Sequence, residues 1–163
     1  LRPLLDLLRA RSKSIYIPGS VISIDETMVP WKGRLLFKQY IPGKAHKYGV
    51  KIYKLAATNG YTWNFMIYTG KQDPTAGLGH GQTVVLNLVD GLLQCHRTVV
   101  VDNFFTSISL AERLLQNDTY LIGTLRSNRA GSGHEVAQKK LKRGEIYALQ
   151  SNNGVKLIQC KDK

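Results

Sequence analysis

Two aspartates end apolar runs in this chain: Asp25 in "VISIDETMVPWKGR" and Asp102 in "TVVVDNFFTS". A carboxylate driven toward a core is costly unless something takes up its charge. If the two runs are neighbouring strands, the carboxylates meet although they stand 77 positions apart. Two carboxylates about 4 Å apart repel by roughly 4 kcal/mol at an effective dielectric near 20, equivalent to about three pKa units. A divalent cation removes that conflict, and hard oxygen ligands suit magnesium or manganese. Two such ions can activate a water or a 3′-hydroxyl on one side of a phosphodiester and stabilise the leaving oxygen on the other. From pattern alone a plainer reading stands beside this one and is the commoner: Asp-Asn after a strand makes a turn or a helix N-cap. Other chemistries lack their residues. "GLGHG" has no terminal Lys-Ser/Thr of a phosphate-cradling loop, and no nucleophile elbow is present.

The elements that must position these residues can be read in order. Leu4, Leu5 and Leu8 sit at helical spacing behind Pro3, predicting a short helix ended by Pro18-Gly19. From Val21 to Val29 the period becomes two, with Ile22, Ile24 and Met28 on one face and Ser23, Asp25 and Thr27 on the other. Two β-rich runs around Asn59-Gly60 predict a hairpin. Val84, Val85, Leu88, Val89 and Leu92 share a helical face, and "RTVVVD" is the unbroken apolar run of a strand buried on both faces. "SISLAERLLQN" is a second amphipathic helix, with Ser109 and Glu112 at capping-box spacing, and "YLIGTLR" closes as a fifth strand. The expected fold is α/β: three antiparallel strands, then helix-strand-helix-strand, in a mixed sheet whose later strands run parallel to the first. Strands one and four can then be neighbours, which brings Asp25 to Asp102.

Beyond Arg126 the texture turns basic and loop-like, and "EIYALQSNNGVKLIQCKDK" predicts another hairpin about Asn152-Asn153-Gly154. Three segments result: a helical lead-in over 1–20, a core over 21–128, and the beginning of a β-rich unit over 129–163. The chain stops in a strand-like run and reads as a fragment cut mid-domain.

The 163 residues carry 23 Lys and Arg against 11 acidic residues, a formal net charge of +12. An excess of this sign is the footprint of a polyanion, with nucleic acid ahead of an anionic membrane, since no apolar run reaches the eighteen or so residues of a span. Lys44, His46, Lys47 and Lys51 cluster after "YIPG", and Arg126 and Arg129 bracket "SN" beyond strand five. Singly each reads as a solvated cation, and together they read as phosphate contacts. Cys95 and Cys160 have no metal-finger spacing and read as free thiols of a reducing compartment. His80 and His134, in glycine-rich loops, read as surface histidines. Trp31, Tyr40 and Tyr48 could stack on bases, with packing in a β-rich core the expected role. Phe104 and Phe105 are expected to anchor the loop that aims Asp102.

Read as whole phrases, "SIDETMVPWKGRLLFKQYIPGKAHKYGVKIY", "VVVDNFFTSISLAERLLQ" and "YLIGTLRSNR" closely resemble the transposase core of the piggyBac family, over nearly the whole chain. The resemblance implies an RNase H-like catalytic fold in which three aspartates bind metal, magnesium or manganese, and cut and join double-stranded DNA at TTAA targets. Asp25 matches the first aspartate and Asp102 the second. The third is implied on a late helix after an inserted β-rich domain, which 129–163 would begin. Asp118 and Asp162 stand in the wrong contexts to replace it, and Glu26 points to the opposite face of its strand from Asp25. The resemblance also implies a nuclear, homodimeric parent enzyme and a fragment that does not cleave DNA alone. Its alternative is a domesticated, non-catalytic DNA-binding descendant.

Overall fold

The computed structural model describes residues 2–43, 45–77 and 79–162. Helix α1 spans Arg2–Ile15 and is followed by β1, Val21–Pro30. A two-residue strand β2, Gln39–Tyr40, precedes the long β3, Tyr48–Ala57, and β4, Thr62–Ile67. Helix α2 is His80–Val89, β5 Thr98–Val101, α3 Ile108–Leu115 and β6 Tyr120–Gly123. A short helix α4, His134–Gln138, and the strands β7, Ile146–Gln150, and β8, Lys156–Cys160, complete the order.

Six strands form one sheet in the order β2-β3-β1-β5-β6, with β4 on the same edge of β3 as β2; β7 and β8 pair separately. Strand β3 runs antiparallel to β1 on one side and to β4 on the other, whereas β5 lies parallel to β1 and β6 parallel to β5. The mixed sheet expected from the pattern is therefore present. Its polarity follows from the connections: "TNGY" closes the β3–β4 hairpin tightly, while α2 and α3 each return the chain to the same end of the sheet.

The core lies on one side of the sheet. Ile22 and Ile24 of β1, Leu55 of β3, and Val99 and Val101 of β5 pack with Val84, Val85, Leu88 and Val89 of α2 and Leu110 and Leu114 of α3. The apolar periodicity of α2 is real, but the helix begins earlier than its first valine and releases Leu92 into the following turn, where it stays buried. Arg97 ties the start of β1 to the neighbouring turns, donating to the carbonyls of Pro18, Gly19 and Leu92 at 3.2–3.4 Å. Asn64, fully buried, donates to Leu88 O at 2.9 Å and accepts from Arg9 at 3.4 Å, linking β4 to α2 and α1.

Four details differ from the pattern. The N-cap of α3 is Ser107, whose hydroxyl accepts from Leu110 N at 3.1 Å, while Ser109 donates to Gln82. Capping needs extended backbone before the first turn, which Ser107 has and Ser109, already inside the helix, lacks. Strand β6 ends at Gly123 rather than Arg126, because its partner β5 ends at Val101 and no ladder remains to extend. The basic stretch after Arg126 contains α4, which buries Val136. Trp31, Tyr40 and Tyr48 are 48%, 55% and 57% exposed rather than packed in a core, because the segment that carries them projects past the end of β5. Both cysteines are free and exposed, and among the described residues no helix is long and apolar enough to cross a membrane.

Gly49, paired with Pro30, leaves no room for a side chain against β1. A Cβ there would overlap Val29 O and lie 2.9 Å from Val29 C. Gly49→Ala is expected to lower stability by about 1–3 kcal/mol, the usual cost of overpacking, read as a reduced urea midpoint; an unchanged midpoint would show that the strands part without cost.

Candidate active site

The last parallel pair between β1 and β5 is Ile24↔Val101. The next residues along the two strands are Asp25 and Asp102, so the register sets them side by side, at the roughly 4.8 Å spacing of neighbouring strands. Both are exposed, and both leave the face opposite the core. Across β1 on the other side, Asp25 pairs with Lys54 of β3. One row across the sheet thus carries a cation and two carboxylates. Lys54 makes no ion pair among the described residues.

Each carboxylate spends one oxygen on its own backbone. Asp25 Oδ1 accepts from Glu26 N at 2.7 Å, and Asp102 Oδ1 from Phe104 N at 3.0 Å. The second contact is the turn that Asp-Asn after a strand suggests, so that reading and the ligand reading hold together: Asp102 shapes its loop with one oxygen and keeps Oδ2 uncommitted. Two hard oxygen donors side by side fit a divalent cation in kind but not in number. Among the described residues no third carboxylate, histidine or cysteine joins them. Glu26 faces Tyr53 on the core side, and Asp118 occupies a left-handed turn after α3.

The loop behind Asp102 is held from several directions. Phe105 is buried in the core, and Phe104 packs on it edge-on at 4.9 Å between centroids. Thr106 Oγ1 donates back to Asp102 O at 2.7 Å. Arg129 Nη1 donates to the carbonyls of Asn103, Phe104 and Thr106 at 2.9–3.3 Å, and Arg126 grips Asn103 Oδ1 at 3.0 and 3.2 Å. Lys51 sets its ammonium 4.7 Å above the Tyr53 ring and 4.6 Å above Phe104. Of the basic residues singled out in the sequence, Arg126, Arg129 and Lys51 therefore brace the aspartate loop, His46 and Lys47 are exposed, and Lys44 lies outside the described residues.

Beneath the loop, His80 is half-buried rather than a surface histidine. Its Nδ1 lies 2.8 Å from Thr75 O, and its Nε2 2.7 Å from the Tyr53 hydroxyl. A ring donating from Nδ1 to that carbonyl accepts the Tyr53 proton at Nε2. Burial, and then the charges of Tyr68, Glu26 and Asp73, push the Tyr53 pKa up, which keeps it a donor. Burial also opposes the Asp73 charge, but hydrogen bonds from Thr75 and Thr69 outweigh it and hold that carboxyl below its ordinary value. The sequence signal for this network was weak: "DPT" reads as a turn, and nothing in it announces Tyr53 as the partner of His80.

Adjacent parallel strands thus set two carboxylates side by side in a chain with a large basic excess, and comparison with known proteins gives its class. A family model described as Transposase IS4 matches residues 1–163. The chain belongs to that family, and its particular kinship is with the piggyBac group. It is 36% identical over 164 residues to the human PiggyBac transposable element-derived protein 3, covering 95% of this chain and 28% of that protein. The human Chimeric ERCC6-PGBD3 protein matches at the same 36%, with 16% of its length covered. A cryo-EM structure of the piggyBac transposase synaptic complex with hairpin DNA superposes with a TM-score of 0.91 at 31% identity, covering 99% of this chain and 34% of that one. The chain thus spans about a third or less of the proteins it matches.

Two outcomes follow from the bracing. Arg129→Ala frees three carbonyls, and a drop in stability of about 1–3 kcal/mol is expected, with larger amide exchange over Asn103–Thr106; protection equal to the parent's would show that the loop holds itself. Because the Asp73 pKa is depressed on folding, its contribution is complete above the unfolded carboxylate value near pH 4 and is lost as pH falls through the folded one. The stability gap between the parent and Asp73→Asn should therefore be flat at neutral pH and shrink in acid, measured by urea melts across pH.

Proposed function

We propose that this chain is the part of an RNase H-like transposase core that supplies two of three metal-ligating carboxylates, Asp25 and Asp102, to a centre that cuts and joins DNA. The observation that carries the reading is the β1–β5 register, with Ile24 opposite Val101 and an aspartate next on each strand. Divalent ions such as Mg2+ or Mn2+, when bound, supply Lewis acidity on both sides of a phosphodiester. The chain's own residues do the rest. Asp25 and Asp102 present Oδ2 outward from two strands held rigidly by a common ladder, and the Asn103–Thr106 loop keeps Asp102 from swinging away. Lys54, beside Asp25, offsets part of the carboxylate repulsion and can meet a DNA phosphate.

The third carboxylate comes, on this reading, from a segment outside these 163 residues that covers the aspartate face. Val21, Val100, Tyr120 and Ile122 stand 37–61% exposed there and offer it apolar contact. Residues 129–163 then begin the inserted β-rich unit. The whole protein would act in the nucleus as a homodimer on paired DNA ends and choose TTAA targets. Lys47 and, beside the loop, Arg126 and Arg129 contribute to the field that attracts the duplex. A second reading, a domesticated DNA-binding protein without catalysis, is favoured by one observation: a relative matched over 95% of this chain bears the name of a transposable element-derived protein.

Mn2+ binding to the purified chain, followed by electron paramagnetic resonance, tests the metal reading. The parent should bind at least one ion, and Asp25→Asn or Asp102→Asn should weaken it about tenfold or more while duplex affinity stays level or rises slightly. Equal Mn2+ binding by all three proteins would sink the ligand assignment. Loss of duplex binding together with metal binding would point to misfolding, which circular dichroism separates.

A further inference from the structure

Past the last β1–β5 pair, β1 continues for six residues with β3 alone beside it, and the chain leaves as an arm through β2. Trp31 N donates to Tyr48 O at 3.4 Å, and Tyr48 pairs directly with Tyr40 on β2. Three aromatic residues therefore stand in one row across three adjoining segments. The Tyr40 and Tyr48 rings lie 4.7 Å apart, tilted by 38°. Alternation along β1 puts Trp31 on the same sheet face as Asp25, six residues or roughly 20 Å further on.

Cations surround the row. An open groove of about 510 Å3 is lined by Trp31, Lys32, Lys38, His46, Lys47 and Tyr48, among others. Lys38 Nζ sits 5.6 Å from the Tyr48 ring centroid. From Thr27 to Gln72 the sequence contains no Asp or Glu at all, so the segment that forms the arm carries no carboxylate of its own. An apolar protein partner would have to bury these ammonium groups, and an acidic one would leave the ring faces unused. A nucleic acid strand answers both, with phosphates for the lysines and base faces for the rings. A duplex keeps its base faces inside the stack, so the matching chemistry is an unpaired strand.

We propose that Trp31, Tyr48 and Tyr40, with Lys32, Lys38 and Lys47, form a stacking platform for unpaired DNA bases flanking the bond presented to Asp25 and Asp102. The proposal rests on the DNA reading above and adds the strand state and the place. The distance from Asp25 to Trp31 corresponds to roughly six base steps at about 3.4 Å each.

The test uses the full 163-residue chain and an oligothymidine of about twelve nucleotides, within the range of known single-strand footprints, with a duplex of equal length as comparison. Trp63 is buried at 5% exposure, so quenching of tryptophan emission on adding the oligomer reports on Trp31. Quenching is expected, and by anisotropy of end-labelled oligomers Trp31→Leu and Tyr48→Leu should each weaken oligothymidine binding about tenfold, leaving the log-log salt slope and duplex affinity unchanged. Lys47→Met should instead reduce that slope by about 0.7. Unaltered oligothymidine affinity in both aromatic variants overturns the platform while leaving duplex binding and the metal reading intact. Failure of the parent chain to bind either nucleic acid overturns the platform and the DNA reading together.

Discussion

The arrangement depends on one constraint, the parallel register of β5 on β1. A parallel pair needs a crossover, here the stretch through β3, β4 and α2, and once the crossover is packed the two strands cannot slip without moving Ile22, Ile24, Val99 and Val101 out of the core. That penalty holds two like charges side by side where nothing else in the described residues would. The strands also end at the right place: β5 stops at Val101, so Asp102 stands at the sheet's rim, while β1 passes beyond it and leaves Asp25 in mid-strand.

The two faces of the sheet have divided labour. The face of Ile24, Leu55 and Val101 is closed by α2 and α3; the other carries the aspartates, Lys54 and a scatter of exposed apolar residues. The cations are divided similarly. Arg129 and Lys51 turn inward onto carbonyls and rings, a use suited to arginine's fork and to a lysine's point charge. On the arm, Lys32 and Lys47 are exposed, while Lys38 is held between the Gly33 carbonyl and the Tyr48 ring. A net charge of +12 says nothing about this split. Only the backbone that each cation meets decides whether it is structural or open to a ligand.

The sequence made much of this legible. Period-two alternation placed Asp25 on the polar face, and the unbroken "TVVV" run marked a strand covered on both sides, so their adjacency could be foreseen. Phe104 and Phe105 could be foreseen as loop anchors for the same reason, since paired aromatics after a buried strand have few other places to go. What escaped was tertiary. His80 looks like a loop histidine because its partner Tyr53 comes from a strand 27 positions away, and Arg129 looks like a free cation because the carbonyls it holds belong to another segment. Trp31, Tyr40 and Tyr48 looked like core because large rings usually are. Burial, however, requires a covering layer, and the helices that cover the sheet stop short of the arm.

That last point bears on how the aspartates can work. A rim carboxylate pair in open solvent attracts a cation less strongly than a covered pair would, since water screens the repulsion that rewards binding. The effective field rises when a low-dielectric cover excludes water, and on the function proposed above the face where Val100 and Ile122 stand exposed beside the aspartate row would take one. Closing that face would supply the missing ligand and the dry surroundings together. The arm, outside the footprint of any layer centred on the aspartates, would stay open, so that a strand entering the covered site could still be held where it emerges.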